Sequence, residues 1–201
     1  KEQEKKKKLN YLEEIRKKNE IKHFFDIGAN IGYYSLYFNN IDNVYAFEPN
    51  KKSLKRLEEN NRLNNFNIKI YGFGLSNSTS EREIKKKNKY KKWESTILDK
   101  KDLKKKKYNS KNIIKEKIST KKLDEILNIN KSQILVKIDV ERHEKNVLEG
   151  MKKIIQNNNI FMQIEIGEQN KNEIFNYLKE LNLKWINSIG HDHYFIKDLN
   201  N

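Results

Sequence analysis

Cysteine is absent from the 201 residues, so the chain has no disulfide framework and no Cys-ligated metal site. That absence fits a reducing cytoplasm, the expected location. Long hydrophobic runs are missing too. No stretch approaches the ~18 apolar residues that span a bilayer, so no transmembrane segment is expected. The chain begins with Lys1 rather than Met and has no apolar signal-like segment at that end, as expected of a trimmed chain or a piece of a longer protein. Apolar residues make up only 35% of the total, low for a globular protein. Much of the deficit lies in Lys- and Asn-rich stretches, so the core has to come from a few apolar runs. Acidic residues are outnumbered: 43 Lys and Arg against 28 Asp and Glu leave a net charge of +15. Such a surplus admits nucleic acid, anionic lipid or an anionic glycan as partner. A Lys- and Asn-rich compositional bias explains it equally well, because lysines are spread over nearly every polar segment. Lysine also dominates over arginine, whereas specific phosphate and base readers use arginine's planar fork.

The length suits one domain with a single core, and the apolar runs alternate with helical patterns. Residues 1–20 are charged, with Leu9, Leu12 and Ile15 at helical spacing. His23 to Gly28 is a short apolar run ending at glycine, which suits a buried strand. Ile31 to Phe38 reads as a helix. Val44 to Glu48 is a second strand, stopped by Pro49, the only proline. Lys51 to Leu63 is a helix with Leu54, Leu57 and Leu63 on one side, and Ile68 to Leu75 a third strand. Residues 76–118 break the rhythm with two lysine runs, Lys85–Lys87 and Lys104–Lys107, and read as a long loop or small β-excursion. Ser119 or Thr120 then caps a short helix carrying Leu123, Ile126 and Leu127. Ile134 to Asp139 is a fourth strand, followed by a helix through Val147, Leu148 and Met151. Ile160 to Ile166 is a fifth strand and Ile174 to Leu181 a helix. Trp185–Ile189 and His193–Ile196 form a closing pair of strands around a Gly190-His191-Asp192 turn. Strand and helix in alternation predict βαβ units, a parallel sheet and an α/β fold.

The first candidate site is Asp26-Ile27-Gly28-Ala29-Asn30-Ile31-Gly32, where a strand turns into a helix. Open α/β sheets bind ligands at the carboxyl ends of their strands. Gly28 allows a tight turn and a close ligand approach, and Gly32 allows close packing of the helix on the sheet. A dinucleotide site has G-x-G-x-x-G, whose second glycine admits a pyrophosphate. Here the spacing is G-x-x-x-G with Asn30 inside it. S-adenosylmethionine carries no phosphate, and an acid just before the loop, Asp26, suits its ammonium group while repelling a pyrophosphate. Glu48 ends the next strand, where a carboxylate accepts hydrogen bonds from both ribose hydroxyls. The plainer alternative is that Asp26 and Glu48 merely cap the helices that follow them.

The second candidate site is Lys137-Ile138-Asp139-Val140-Glu141-Arg142-His143-Glu144. Alternation puts Lys137, Asp139 and, if the strand continues, Glu141 on one face. A cation between carboxylates in a buried strand is costly unless paired, and such groups serve catalysis or substrate positioning. In methyl transfer orientation supplies much of the rate, and a base such as Asp139, Glu141 or His143 takes a hydroxyl proton. The alternatives are a salt-bridged strand end with Glu141 and Glu144 at a helix N-terminus, and a weaker reading as a metal site of Asp139, Glu141 and a further carboxylate; no metal is expected. Glu165 ends the fifth strand and reaches the same rim, with functional and structural readings in balance. His191, Asp192 and His193 are explained as well by a turn.

These residues in combination resemble the FkbM family of S-adenosylmethionine-dependent methyltransferases. The resemblance is carried by Asp26 to Gly32 with Ser35-Leu36, by Ala46-Phe47-Glu48-Pro49, by Leu57 with Asn60, Leu63 and Asn64, and by Lys137-Ile138-Asp139-Val140-Glu141 with Glu144, Val147, Leu148 and Gly150. It runs from about residue 23 to residue 167. It implies a Rossmann-like class I methyltransferase fold with a mostly parallel sheet of about seven strands and helices on both faces. Residues 21–201 would form that domain, after a charged helix over 1–20 and with a Lys-rich insertion over 76–118. It implies S-adenosylmethionine as cofactor. Asp26, Gly28, Asn30 and Gly32 would line the methionine part, Glu48 would hold the ribose, and Ser76 and Asn77 would meet the adenine. Asp139 and Glu141 would face the transfer site, joined by Lys137 and His143. The family places Gly and a small residue after the Asp-Val-Glu segment. Here they are Arg142 and His143, bulky side chains that would narrow the acceptor pocket or contact the substrate. The expected activity is O-methylation of a sugar, a glycan or another small molecule, with an anionic acceptor held by the basic segment. Alternatives are an RNA methyltransferase using lysines 85–107, and a non-catalytic binding module on the same fold.

Overall fold

In the computed structural model, which describes residues 2–87, 95–97 and 113–199, the apolar runs stand side by side in a seven-stranded sheet. The elements in chain order are α1 (Glu2–Lys18), β1 (His23–Ile27), α2 (Tyr33–Tyr37), β2 (Asn43–Phe47), α3 (Lys51–Leu63), β3 (Lys69–Tyr71), β4 (Gly74–Leu75), β5 (Ser80–Lys87), β6 (Ser95–Ile97), β7 (Ile113–Lys121), β8 (Gln133–Ile138), α4 (Glu144–Gly150), α5 (Lys152–Asn157), β9 (Asn159–Glu165), α6 (Lys171–Glu180), β10 (Lys184–Ile189) and β11 (Asp192–Lys197). The large sheet runs β10-β11-β9-β8-β1-β2-β3. Its pairs β1·β2, β2·β3, β1·β8 and β8·β9 are parallel, and β11 is antiparallel to both neighbours. From β1 the chain first builds toward β3 and later returns to lay β8 on the other side of β1. That reversal opens a crevice at the carboxyl ends of β1 and β8.

Both faces of the sheet are covered, as expected of parallel strands. Phe25, Ile27, Val136 and Ile138 point to one side and pack with Val147, Leu148, Ile154, Ile155, Ile174 and Leu178 of α4 to α6. Phe24, Leu135, Phe161 and Tyr194 point to the other and pack with Leu9 and Leu12 of α1, Phe38 and Leu57. The charged N-terminal helix therefore contributes to the core.

The structure departs from the sequence reading in several places. The third strand is two: β3 pairs with β2 and stops at Tyr71, while Gly74 and Leu75 pair with Thr120 and Lys121 of β7. Ser119 and Thr120 lie within β7, so they cap nothing, and only a 3-10 turn, Leu123–Glu125, follows. Leu63 is 63% exposed, leaving Leu57 as the buried leucine of α3. The helix after β8 is broken at Met151 into α4 and α5. Asp192 belongs to β11, where it pairs with Glu165. Within 76–118, β5 pairs antiparallel with β7 and β6, and with β4 they form a second, four-stranded sheet. Lys85–Lys87 fall in β5; Lys104–Lys107, Tyr90, Trp93 and Tyr108 lie outside the described residues.

Candidate active site

Strand register builds the site. Ile27 pairs with Phe47 on one side and with Ile138 on the other, and Ile138 pairs with Ile164. The residues one step on, Glu48, Gly28, Asp139 and Glu165, consequently stand in one row where the strands end, and β11 extends the row with Asp192 opposite Glu165. Two residues back, Asp26, Lys137 and Gln163 lie opposite one another. Period-two alternation puts the two rows on one face. On this face the strands are apolar at the rear, with Phe24, Leu135 and Phe161, and polar at the front.

The loop after β1 turns through left-handed backbone at Gly28 (φ 78°), Asn30 (φ 53°) and Gly32 (φ 90°). A Cβ on Gly28 would lie 1.9 Å from the Asp139 carbonyl oxygen, so this glycine is required by the approach of β8's end as well as by the turn. A Cβ on Gly32 would meet Leu57 of α3 at 2.3 Å; the close packing it allows is against a helix, whereas the sheet was expected. Glu48 ties the loop down. Its Oε2 accepts from Asn30 N and its Oε1 from Asn50 N, both at 2.8 Å. The cap of α3 is Asn50, which accepts from Lys52 N and Ser53 N, so the capping alternative for Glu48 fails. Burial raises the Glu48 pKa, against the pull of the Asn50 and Asn30 amides.

Asp26 has two tasks. Gly32, at the N-cap of α2, has no side chain to satisfy the first free N–H groups. Asp26 Oδ2 takes over, accepting from Ser35 N at 3.0 Å and Ser35 Oγ at 2.6 Å. The helix-capping reading thus holds for one oxygen. The other, Oδ1, is enclosed without a hydrogen bond and faces Lys137 Nζ at 3.6 Å.

Lys137 sits between the carboxylates. Its Nζ donates to Gly28 O at 3.2 Å, lies 3.5 Å from Asp139 and rests 5.3 Å from the centroid of Tyr34. Burial works against its charge, but Asp139 and Asp26 outweigh it and hold the pKa above that of an ordinary lysine. The polar chain continues through Gln163, which donates to Asp192 at 2.6 Å and to Tyr34 Oη at 3.4 Å. Asp192 is paired in turn with Lys8 of α1. Sequence reasoning left out Tyr34, Gln163 and Lys8, and gave Ser35 no role of its own. Gln163 had a signal: Phe161-x-Gln163-x-Glu165 repeats the apolar–polar–acid pattern of Leu135-x-Lys137-x-Asp139.

Past Asp139 the strand does not continue. Glu141 (φ 50°) and Arg142 (φ 79°) are left-handed, so the strand alternation that was expected to align Glu141 with Lys137 and Asp139 does not reach it. Arg142 stands where glycine suits the backbone. The Glu144 carboxylate accepts from Arg142 N at 2.7 Å and steadies the turn; burial raises its pKa. His143 is buried and lies 3.0 Å from Ser76 Oγ. Asn77 donates to Glu149 at 2.7 Å, and a Cβ on Gly150 would meet Ser76 O at 1.9 Å. The structure thus ties His143, Ser76 and Asn77 to one another through α4. Glu165, exposed at the rim, is pushed up to about 7 by partial burial and by Asp139, Asp192 and Glu141. Among the described residues no group of three or more His, Cys, Asp and Glu is placed to hold a metal ion.

Residues 26–193 match the Methyltransferase FkbM domain. The chain belongs to the FkbM methyltransferase family. It is 29% identical over 174 residues to the hexuronic acid methyltransferase AglP of Haloferax volcanii, a match covering 86% of this chain and 68% of that protein. The fold is similar to the crystal structure of methyltransferase FkbM from Methylobacillus flagellatus (TM-score 0.59, 15% identity), over 88% of this chain and 44% of that one. It is also similar to SMU.1697c from Streptococcus mutans, solved in complex with SAH (TM-score 0.51, 12% identity, 87% and 86% covered). The chain thus spans less than half of the Methylobacillus protein. The fold is that of class I methyltransferases, and the cofactor expected from the sequence is S-adenosylmethionine. The residues present fit it. A carboxylate accepts about four hydrogen bonds, and the two loop amides leave Glu48 with capacity for two hydroxyls. The enclosed Asp26 Oδ1 adds negative potential behind the loop.

Proposed function

We propose that this domain moves a methyl group from S-adenosylmethionine to a hydroxyl of a sugar or glycan-linked small molecule. The observation that carries the reading is the single row Glu48, Gly28, Asp139 and Glu165 along the carboxyl edge of four adjacent strands. One end suits a ribose, the other a hydroxyl acceptor. The cofactor supplies an electrophilic methyl when bound. Glu48 accepts from its ribose hydroxyls, and Asp26, Gly28, Asn30 and Gly32 frame its amino-acid part. Lys137 holds Asp26 and Asp139 in fixed positions, so that Asp139 accepts from the acceptor hydroxyl and orients its oxygen. Such positioning contributes on the order of 7–11 kcal/mol in the best cases. Glu141 and Arg142, on the strained turn beside Asp139, border the acceptor. His143, Ser76 and Asn77 act behind them by fixing α4 against the loop after β4.

The hexuronic acid specificity of the Haloferax relative supports a sugar acceptor, and an acidic sugar is the first to try. The chain's charge of +15 draws an anion in from a distance, while the carboxylates at the rim address a hydroxyl. The test is incubation with S-adenosylmethionine and a panel of uronic acids, neutral sugars and glycan-linked metabolites, followed by mass spectrometry of the product. A methyl ether on a sugar hydroxyl supports the reading. Methylation at nitrogen, or cofactor binding without turnover on any hydroxyl, overturns it.

A further inference from the structure

We propose that Glu165 takes the proton of the acceptor hydroxyl, with Asp139 as its hydrogen-bonding partner. The inference rests on the hydroxyl-methylation reading and goes beyond it by assigning the base. Two adjacent parallel strands, β8 and β9, deliver these carboxyls to the same row, because Ile138 pairs with Ile164 and each acid follows directly. Neighbouring strands lie ~4.8 Å apart, which sets the two carboxyls side by side, and burial and the Asp139 charge push the Glu165 carboxyl up. Two carboxyls in that relation cannot both ionise freely, so one carries a proton at a higher pH than a lone acid would.

The surroundings decide which one. Asp139 has a cation, Lys137, at 3.5 Å, held in place by Gly28 O and Asp26. Among the described residues no cation lies within ion-pair distance of Glu165. The groups that face it are acids: Asp139 at the end of β8, Glu141 on the turn beyond, and Asp192 on β11. Lys8 of α1 is engaged with Asp192 and Glu4. The proton therefore resides on Glu165, whose carboxyl is pushed up to about 7. A base of that strength suits general-base work near neutrality. Its exposure at the rim gives the proton a way out to water.

The step balances. The acceptor O–H bond breaks and an O–CH3 bond forms. The sulfur of the donor keeps the electron pair of the broken S–CH3 bond, and the proton passes to the ionised Glu165 carboxyl, which later releases it to solvent. Asp139 holds the hydroxyl in line and raises the basicity of Glu165.

The test has two arms. In the first, carboxyl carbons of isotopically labelled, cofactor-free protein are followed by NMR against pH. One glutamate resonance titrating near neutrality, absent in Glu165→Gln and moved toward the ordinary glutamate range in Asp139→Asn, supports the pairing. Titration of Glu165 in the ordinary range overturns it. In the second, transfer to the acceptor is measured against pH. Wild type loses kcat as pH falls through neutrality. Glu165→Gln loses that dependence and about 10²–10⁴-fold in kcat, with unchanged affinity for S-adenosylhomocysteine as the check on folding. If wild type methylates a hydroxyl and Glu165→Gln keeps its rate and pH profile, the inference fails and the functional reading stands. If wild type methylates no hydroxyl, the functional reading fails and this inference falls with it.

Discussion

Replacing Lys137 by Met should be among the most damaging changes at the site. Met keeps much of the side-chain volume and removes the charge. The Lys137 side chain is 6% exposed and Asp26 1%, so water cannot replace the lost ammonium. Asp26 would keep its two bonds from Ser35, but its Oδ1 would be left as a buried charge with no partner, and Gly28 O would lose its donor. Removing one member of a buried ion pair costs about 3–5 kcal/mol. The cost should fall when the orphaned charge is removed too. In a cycle of Lys137→Met, Asp26→Asn and the double variant, the double should be more stable than additivity predicts by about 2 kcal/mol, within the usual range for residues in contact. The assay is urea unfolding followed by circular dichroism at neutral pH, repeated at high salt, which screens buried pairs little. A single-variant cost below about 1 kcal/mol, or additivity within about 0.5 kcal/mol, would refute the idea that Lys137 neutralises Asp26.

Two backbone substitutions should move stability in opposite directions. Gly28→Ala combines a left-handed residue, about 1–2 kcal/mol, with a collision against the Asp139 carbonyl, about 1–3 kcal/mol more; Arg142→Gly relieves φ 79° and should stabilise by about 1 kcal/mol once glycine's extra unfolded freedom is subtracted. Equal effects in urea melts would contradict both. The raised pKa of Glu165 means that the folded chain binds more protons than the unfolded chain between about pH 4.5 and 7. Its contribution to stability is therefore lost as pH rises through that window, and Glu165→Gln should flatten that slope in melting temperatures taken across it. A steeper slope in the variant would reverse the sign. Glu48→Gln turns an amide donor toward Asn30 N or Asn50 N, leaving one of them unsatisfied at about 1–3 kcal/mol; unchanged unfolding would show that the clamp is not formed.

Most of the large sheet was legible because its strands are short apolar runs bounded by Gly, Pro or Asn, a local signal. The turn after β1 was legible for the same reason: Asp26, Gly28 and Glu48 lie at strand ends whose order can be counted along the chain. Contacts fixed by register between distant segments were not. Gln163 meets Asp192 because β11 returns antiparallel to β9, and Lys8 meets Asp192 because α1 docks on that face. The Ile68–Leu75 run hid a change of partner at Gly72 and Phe73, since both halves are apolar. Glu141 was misplaced because the alternation rule assumes extended backbone, and the turn there is left-handed. Asn50, just before a helix, carries a strong cap signal, which the acid two residues earlier obscures.

The most direct test of the account is calorimetric titration of the purified chain with S-adenosylmethionine, S-adenosylhomocysteine and NAD, alongside Glu48→Ala. The account predicts that both S-adenosyl ligands bind and NAD does not. Loss of the carboxylate should weaken binding by about 10–100-fold, the equivalent of one hydrogen bond to a charged group. Binding of NAD, or undiminished S-adenosylhomocysteine affinity in Glu48→Ala, would contradict the assignment of the cofactor site.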